Sequence, residues 1–256
     1  MKKYLIMLPF SLLLVACTQG KVVKETPTTS TQTRSSTTKI EESSTTELST
    51  TKEEISVTYP SGSLIDAVTS NDLAQVTKIL QEDSNYNINE VNELYESPLL
   101  IATHNNQTDV AKVLIDYGAD VNLQDKIEDS AYLYAGAEGK TEILAYMLKH
   151  SEPNFQVRNR FGGNALIPAA EKGHLENVKL LLADGREDIN HQNNPGYTAL
   201  IEAVALRDGS QVYQDIVAEL LKYGADTSLR DNTGRSAVDY ARELNYGNML
   251  NMMEEK

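Results

Sequence analysis

The sequence predicts an all-α fold, a solenoid of about six stacked helix–turn–helix repeats. Residues that can cap a helix N-terminus recur every 33 to 38 positions, and an alanine follows each of them five positions later. Residues 162–185 (GGNALIPAAEKGHLENVKLLLADG) show one repeat in full: a short helix, a glycine turn, a longer helix and a closing glycine. One helix pair is too thin to bury its own apolar face, so copies must stack against each other. The capping positions are Gly62, Ser97, Ser130, Asn164, Thr198 and Ser236.

Three stretches of the chain carry a family resemblance. Residues 97–103 (SPLLIAT), 118–122 (GADVN) and 173–182 (GHLENVKLLL) match successive parts of the ankyrin repeat, whose period is also near 33 residues. Residues 61–255 therefore resemble the ankyrin-repeat family. The repeats are expected near residues 62–95, 96–128, 129–162, 163–196, 197–234 and 235–256, within a domain over 58–256. The fifth repeat has about five extra residues within Leu206–Tyr213, between its two helices.

The first 17 residues have the layout of a bacterial lipoprotein signal peptide. Two lysines precede a short apolar run, and residues 14–17 (LVAC) resemble a lipobox, whose cysteine becomes diacylated at the mature N-terminus. We expect Cys17, the single cysteine of the chain, to be the lipidation site. The alternative is an ordinary signal peptide with an accidental cysteine. Residues 18–57 are rich in Ser and Thr and lack aromatic residues, which predicts a disordered linker between the anchor and the repeats.

The turns and the ends of the first helices are the positions that the resemblance assigns to partner recognition. Phe161 stands beside Arg160 in a turn, and an aromatic residue next to arginine is a composition enriched at interface anchors. The alternative is that Phe161 folds inward against the neighbouring turn. Tyr132 and Tyr134 are expected to fill the core. The predicted partner-binding residues are Arg160, Phe161, Tyr197, Lys126, Ile127, Glu96, Asn194 and Arg235.

The net charge of −14 narrows the class of partner. An acidic domain is repelled by nucleic acid and by anionic lipid, and a basic protein partner is favoured. Acidity that simply keeps an exported domain soluble is the other explanation. We expect contact with the membrane only through the lipid on Cys17, and a monomeric chain.

The sequence offers no set of residues for catalysis. The four histidines fall at different phases of the repeat, and no metal-binding, nucleophile or phosphate-loop motif is present. We therefore predict a protein-binding module without a cofactor or metal. It would be anchored on the outer face of a cell membrane, a Gram-positive surface being favoured over a Gram-negative periplasm. The alternative is an accessory factor for an envelope enzyme, for example in peroxide defence, that binds a cofactor or small molecule. A catalytic domain is a third hypothesis.

Overall fold

A computed structural model describes residues 57–254 of the 256-residue chain. The predicted signal peptide, the lipidation at Cys17 and nearly all of the predicted linker lie outside these residues. Within the described range the chain forms twelve α-helices in six pairs, and two isolated β-bridges join turn residues. The helices are α1 (Ser63–Thr69), α2 (Leu73–Glu82), α3 (Pro98–His104), α4 (Thr108–Asp116), α5 (Ala131–Ala137), α6 (Thr141–His150), α7 (Leu166–Glu171), α8 (Leu175–Asp184), α9 (Ala199–Ala205), α10 (Gln211–Lys222), α11 (Ala237–Glu243) and α12 (Gly247–Glu254).

The helix pairs stack in chain order, which confirms the predicted solenoid. The first helices form one layer, in which α1, α3, α5, α7, α9 and α11 each contact the next, and the second helices form another layer in the same way. One continuous apolar core lies between the layers. All six of the alanines five positions after the capping residues are buried, because neighbouring first helices approach each other there.

Four of the six predicted capping residues cap a helix through their side chains. The hydroxyl groups of Ser97, Ser130, Thr198 and Ser236 accept backbone N–H bonds of 3.1 to 3.2 Å from the residue three positions later. Asn164 also accepts such a bond, from the Ile167 N–H at 3.2 Å, although α7 begins only at Leu166.

The first repeat is capped differently from the others. Gly62 has a left-handed backbone (φ 92°) and no side chain to offer, so the carboxylate of Glu90 takes the place of the cap. It accepts the N–H groups of Gly62 at 2.6 Å and Ile65 at 3.1 Å, and the hydroxyl of Tyr86 at 2.9 Å. This carboxylate is buried and ties the beginning of α1 to the following turn.

A buried amide joins the third and fourth repeats. Asn177 lies in α8, where only apolar residues would be expected on the inner face, and it is 1% exposed. Its Nδ2 donates to the carbonyl oxygens of Ala135 at 2.9 Å and Gly136 at 3.1 Å, and its Oδ1 accepts the hydroxyl of Thr141 at 2.8 Å. The amide of Asn177, which belongs to the fourth repeat, therefore supplies hydrogen-bond donors to the last carbonyl groups of α5 in the third repeat.

The extra residues of the fifth repeat form a loop of residues 206–210 and lengthen α10 to twelve residues. The loop is held at both sides. Arg207 forms an ion pair with Glu171 at the end of α7, and its carbonyl oxygen accepts the hydroxyl of Tyr246 at 2.5 Å. No helix among the described residues is both long enough and apolar enough to cross a membrane.

Candidate protein-binding groove

An asparagine or aspartate shapes each turn that precedes a first helix, from the second repeat onward. Its Oδ1 accepts the N–H two positions later and, closing the turn, the N–H four positions later, at 2.7 to 3.0 Å. Pro195 has no N–H, so the fifth turn keeps only the second of these bonds. These turn residues were not predicted, although each of them stands five positions before a cap in the sequence: Asn92, Asp125, Asn159, Asn193 and Asp231.

Neighbouring turns are also bonded to one another. The N–H of Lys126 donates to the carbonyl of Leu94 at 3.1 Å, and the N–H of Asn194 donates to that of Phe161 at 2.8 Å. The turns that precede the third and fourth repeats are linked by an ion pair, in which a guanidinium nitrogen of Arg160 lies 3.3 Å from a carboxylate oxygen of Asp129. Each turn is thus fixed by its own side chain and by the next turn, so the surface they present is pre-formed.

A groove with a cavity of about 300 Å³ lies across the turns and first helices of the third, fourth and fifth repeats. Its lining includes the residue four positions after the cap in three successive repeats, namely Tyr134, Pro168 and Glu202. We refer to this feature as the palm groove. Its other lining residues are Asp129, Ala137, Glu138, Asn159, Arg160, Phe161, Gly163, Ile167, Glu171, Lys172, Asn193, Pro195, Tyr197 and Leu206.

Three of the predicted partner-binding residues meet in the palm groove. Phe161 is 56% exposed, so it does not fold inward, and the guanidinium of Arg160 lies 4.9 Å from the centre of its ring. Tyr197 is half-buried and packs its ring edge-on against Tyr240 at 6.4 Å. An exposed aromatic residue, a cation and a second aromatic residue therefore line the same groove.

The other predicted residues lie outside the groove. Lys126 and Ile127 are exposed on the third turn, and the ammonium of Lys126 lies 5.4 Å from the ring of Tyr95. Asn194 is exposed in the turn that precedes the fifth repeat, and its N–H bonds the preceding turn at Phe161. The remaining two make contacts within their own repeats: a carboxylate oxygen of Glu96 lies 3.2 Å from Nδ1 of His104, and Arg235 forms an ion pair with Glu243 at 3.2 Å.

The two tyrosines expected in the core behave differently. Tyr132 is 2% exposed, and its hydroxyl donates to Glu187 at 2.8 Å. Tyr134 is half-buried and faces the palm groove, with its ring 4.1 Å from that of His104. Tyr134 thus packs against the core as expected, but it is only partly buried because its side chain also lines the palm groove.

Ion pairs connect the first helices across the groove. Lys172 pairs with Glu138, Arg207 pairs with Glu171, and each pair joins neighbouring repeats. Within the described residues Glu202 forms no ion pair, although the charge of Arg207 acts on it, and its Oε1 accepts the side-chain amide of Asn193 at 3.0 Å. Burial, followed by the charge of Glu171, raises the pKa of Glu202 to about 7.

A charge network also holds the last turn. The hydroxyl of Tyr240 donates to Asp231 at 2.5 Å, and Thr233 donates to the other carboxylate oxygen at 2.6 Å. Burial acts against ionisation here, yet these hydrogen bonds lower the pKa of Asp231 to about 2. Over residues 57–254 no cluster of three or more His, Cys, Asp or Glu side chains is arranged to hold a metal ion.

Comparisons with known proteins agree with this architecture. A family model for ankyrin repeats matches the chain in three copies, over residues 64–159, 132–231 and 166–254. YahD of Escherichia coli strain K12, named for its ankyrin repeats, is 34% identical over 166 residues, which cover 65% of this chain and 82% of YahD.

Two solved structures are similar over most of the chain. The ankyrin repeat protein EF0377 is 57% identical with a TM-score of 0.76, covering 77% of this chain and 99% of that chain. An ankyrin repeat domain from Acinetobacter baumannii AYE is 41% identical with a TM-score of 0.73, covering 77% and 98%.

Proposed function

This chain belongs to the ankyrin-repeat family, and from that premise we propose that it binds another protein through the palm groove while anchored to the outer face of a membrane. Ankyrin repeats are generally protein–protein interaction modules and not enzymes. The observation that supports the groove most directly is the exposed ring of Phe161 beneath Arg160, on turns that are fixed before any partner arrives. Because the chain carries a net charge of −14, we propose a basic partner.

Replacing both residues of this pair tests the groove. We expect Arg160→Ala with Phe161→Ala to weaken partner capture by roughly tenfold or more, since a buried aromatic–arginine anchor contributes about 2 kcal/mol or more to an interface. The melting temperature should stay within about 2 °C of the parent, because both side chains are exposed and the Arg160–Asp129 ion pair is a surface pair. The measurement is a crosslinking pull-down from intact cells, with a circular-dichroism melt of each variant.

The matched control is Lys222→Ala with Tyr223→Ala. That pair also places a cation over an exposed ring, at 5.2 Å, but it lies at the end of α10, outside the palm groove. The control should capture the partner as well as the parent does. If the groove variant and the control capture the same proteins equally, the palm groove is not the contact surface.

We propose membrane attachment through a diacylated Cys17, on the basis of the lipobox-like residues 14–17. Two acyl chains give stable attachment where one chain gives only reversible binding. A flexible linker of residues 18–57 would then let the repeats reach a partner at a distance from the bilayer. Extracytoplasmic location follows from the same signal and is part of this proposal.

The variant Cys17→Ser should lose the anchor. We expect most of the protein to leave the membrane fraction, or to remain as an unprocessed precursor, because serine cannot accept the thioether-linked lipid. Detergent phase partitioning of cell fractions is the measurement, and Thr18→Ser, which changes the neighbouring residue only, should partition as the parent does. Unchanged partitioning of Cys17→Ser would end the proposal of a lipid anchor.

A further inference from the structure

One carboxylate oxygen of the palm groove has no hydrogen-bond partner. Glu202 is 5% exposed and stands in the first helix of the fifth repeat, within the otherwise apolar run ALIEAVA. Asn193 donates to its Oε1, whereas no donor within the described residues reaches its buried Oε2. Burying an ionisable oxygen without a donor carries a free-energy cost, which is removed when a ligand brings the donor.

The basic side chains at the groove do not meet this need. Arg160 pairs with Asp129, Lys172 pairs with Glu138, and Arg207 pairs with Glu171. Each of these three cations is already paired with another carboxylate. The charge of Arg207 also favours ionisation of Glu202, but none of the three cations donates a hydrogen bond to its Oε2. The local electrostatics match a ligand that brings one positive charge with N–H donors.

The shape of the groove restricts what can bring that charge. The cavity of about 300 Å³ is at the small end of the range for ligand pockets, and Glu202 offers only a small part of its surface. A long, slender side chain with a terminal cation meets both conditions. The rings of Phe161 and Tyr197 line the same cavity and provide apolar surface for a methylene stem and an electron-rich face for a cation.

We propose that the palm groove receives a lysine or arginine side chain of the partner protein, whose terminal N–H groups donate to Glu202. Phe161 and Tyr197 cover the stem of this side chain, and Arg160 with its ion pairs frames the opening. The inference rests on the proposed function, since it names the chemistry that the partner presents to the same groove. Partner choice then depends on one lysine or arginine of the partner protein whose side chain can extend from the partner's surface into the groove.

The test uses the purified full chain and two matched peptides with blocked termini, Ala-Ala-Lys-Ala-Ala and the same peptide with norleucine in place of lysine. Norleucine keeps the stem and removes the charge. We expect the lysine peptide to bind at least ten times more tightly, as followed by nuclear magnetic resonance shifts of groove methyl groups such as Ile167. The lysine peptide should also lower the titration midpoint of the Glu202 carboxyl, because a nearby cation favours the ionised form.

Two variants distinguish the effect of Glu202 on peptide binding from the effect of the net negative charge of the chain. Glu202→Gln keeps the bond from Asn193 and should bind the lysine peptide at least tenfold more weakly, while melting no lower than the parent. Glu142→Gln removes one charge from the exposed side of α6 and should bind within twofold of the parent. Equal binding by Glu202→Gln, or equal binding of both peptides, would overturn the inference.

The inference and the proposed function fail in different ways. If Arg160→Ala with Phe161→Ala loses the cellular partner but Glu202→Gln keeps it at full strength, the groove binds a protein without a basic anchor and the inference is wrong. If both variants keep the partner, the groove is not the binding surface and both fail. If both variants lose the cellular partner and the lysine peptide binds selectively, the result supports both the proposed function and the inference.

Discussion

Replacing Glu90 with alanine is expected to destabilise the first repeat by about 3 to 5 kcal/mol. The carboxylate accepts the N–H groups of Gly62 and Ile65 and the hydroxyl of Tyr86, and hydrogen bonds to a charged group are stronger than neutral ones. Alanine leaves the N–H groups of Gly62 and Ile65 without this acceptor, in a repeat that has a neighbour on one side only. The hydroxyl of Tyr86 keeps the carbonyl of Pro60 as an acceptor. Terminal repeats of a solenoid open locally when their own interactions weaken.

Amide hydrogen exchange is the measurement for Glu90→Ala. Protection in α1 should fall by roughly a hundredfold or more, while the amides of α8 keep theirs. Glu93→Ala is the control, because this exposed glutamate lies three residues away in the same turn region. Protection in α1 that is the same in both variants would show that Gly62 and Ile65 do not depend on the carboxylate.

The second large effect is expected at Asn177. Its replacement by alanine should reduce the free energy of unfolding by about 2 to 4 kcal/mol, because the carbonyl of Gly136 loses its donor in a buried position and a small cavity remains. The site joins two central repeats, so the loss should appear in the main unfolding transition. Chemical denaturation monitored by circular dichroism measures it.

Glu176→Ala is the control for Asn177→Ala, since Glu176 is exposed on the same helix and its side chain pairs with Lys179 on the surface. This variant should stay within about 0.5 kcal/mol of the parent, as surface substitutions usually do. In Asn177→Ala the hydroxyl of Thr141 keeps a second acceptor in the carbonyl of Gly139. Most of the expected loss of stability therefore comes from the backbone carbonyl of Gly136, which loses its donor. A loss below about 1 kcal/mol for Asn177→Ala would contradict this account.

The fold could be predicted from sequence because its signals are local and repeated. A cap, an alanine five positions later and an amphipathic second helix recur in register, and five of the six predicted capping side chains accept the expected backbone N–H. The cap of the first repeat could not be predicted in this way. Glu90 stands 28 residues after Gly62, and only the fold brings the two together.

The groove was predicted in part. Arg160, Phe161 and Tyr197 are turn residues whose composition indicates a surface role, and the structure places them around one cavity. Glu202 was missed because it lies within a helix whose other residues are apolar, where sequence pattern predicts core. Comparing the fourth position after each cap would have shown it, since a glutamate stands in line with Tyr134 and Pro168.

That fourth position has a consequence for how such a domain changes its partner over evolutionary time. The cap bonds use only the backbone of the helix and the side chain of the capping residue, so the side chain of the fourth residue takes no part in them. In the fifth and sixth repeats that side chain does bond the turn, where Glu202 accepts from Asn193 and Tyr240 donates to Asp231. The position is Ile101, Tyr134, Pro168, Glu202 and Tyr240 in successive repeats, five occupants of one structural location with four different chemistries. A single-codon change at this position in the third or fourth repeat alters the lining of the palm groove while the cap and turn bonds persist, so new specificity can be acquired one repeat at a time.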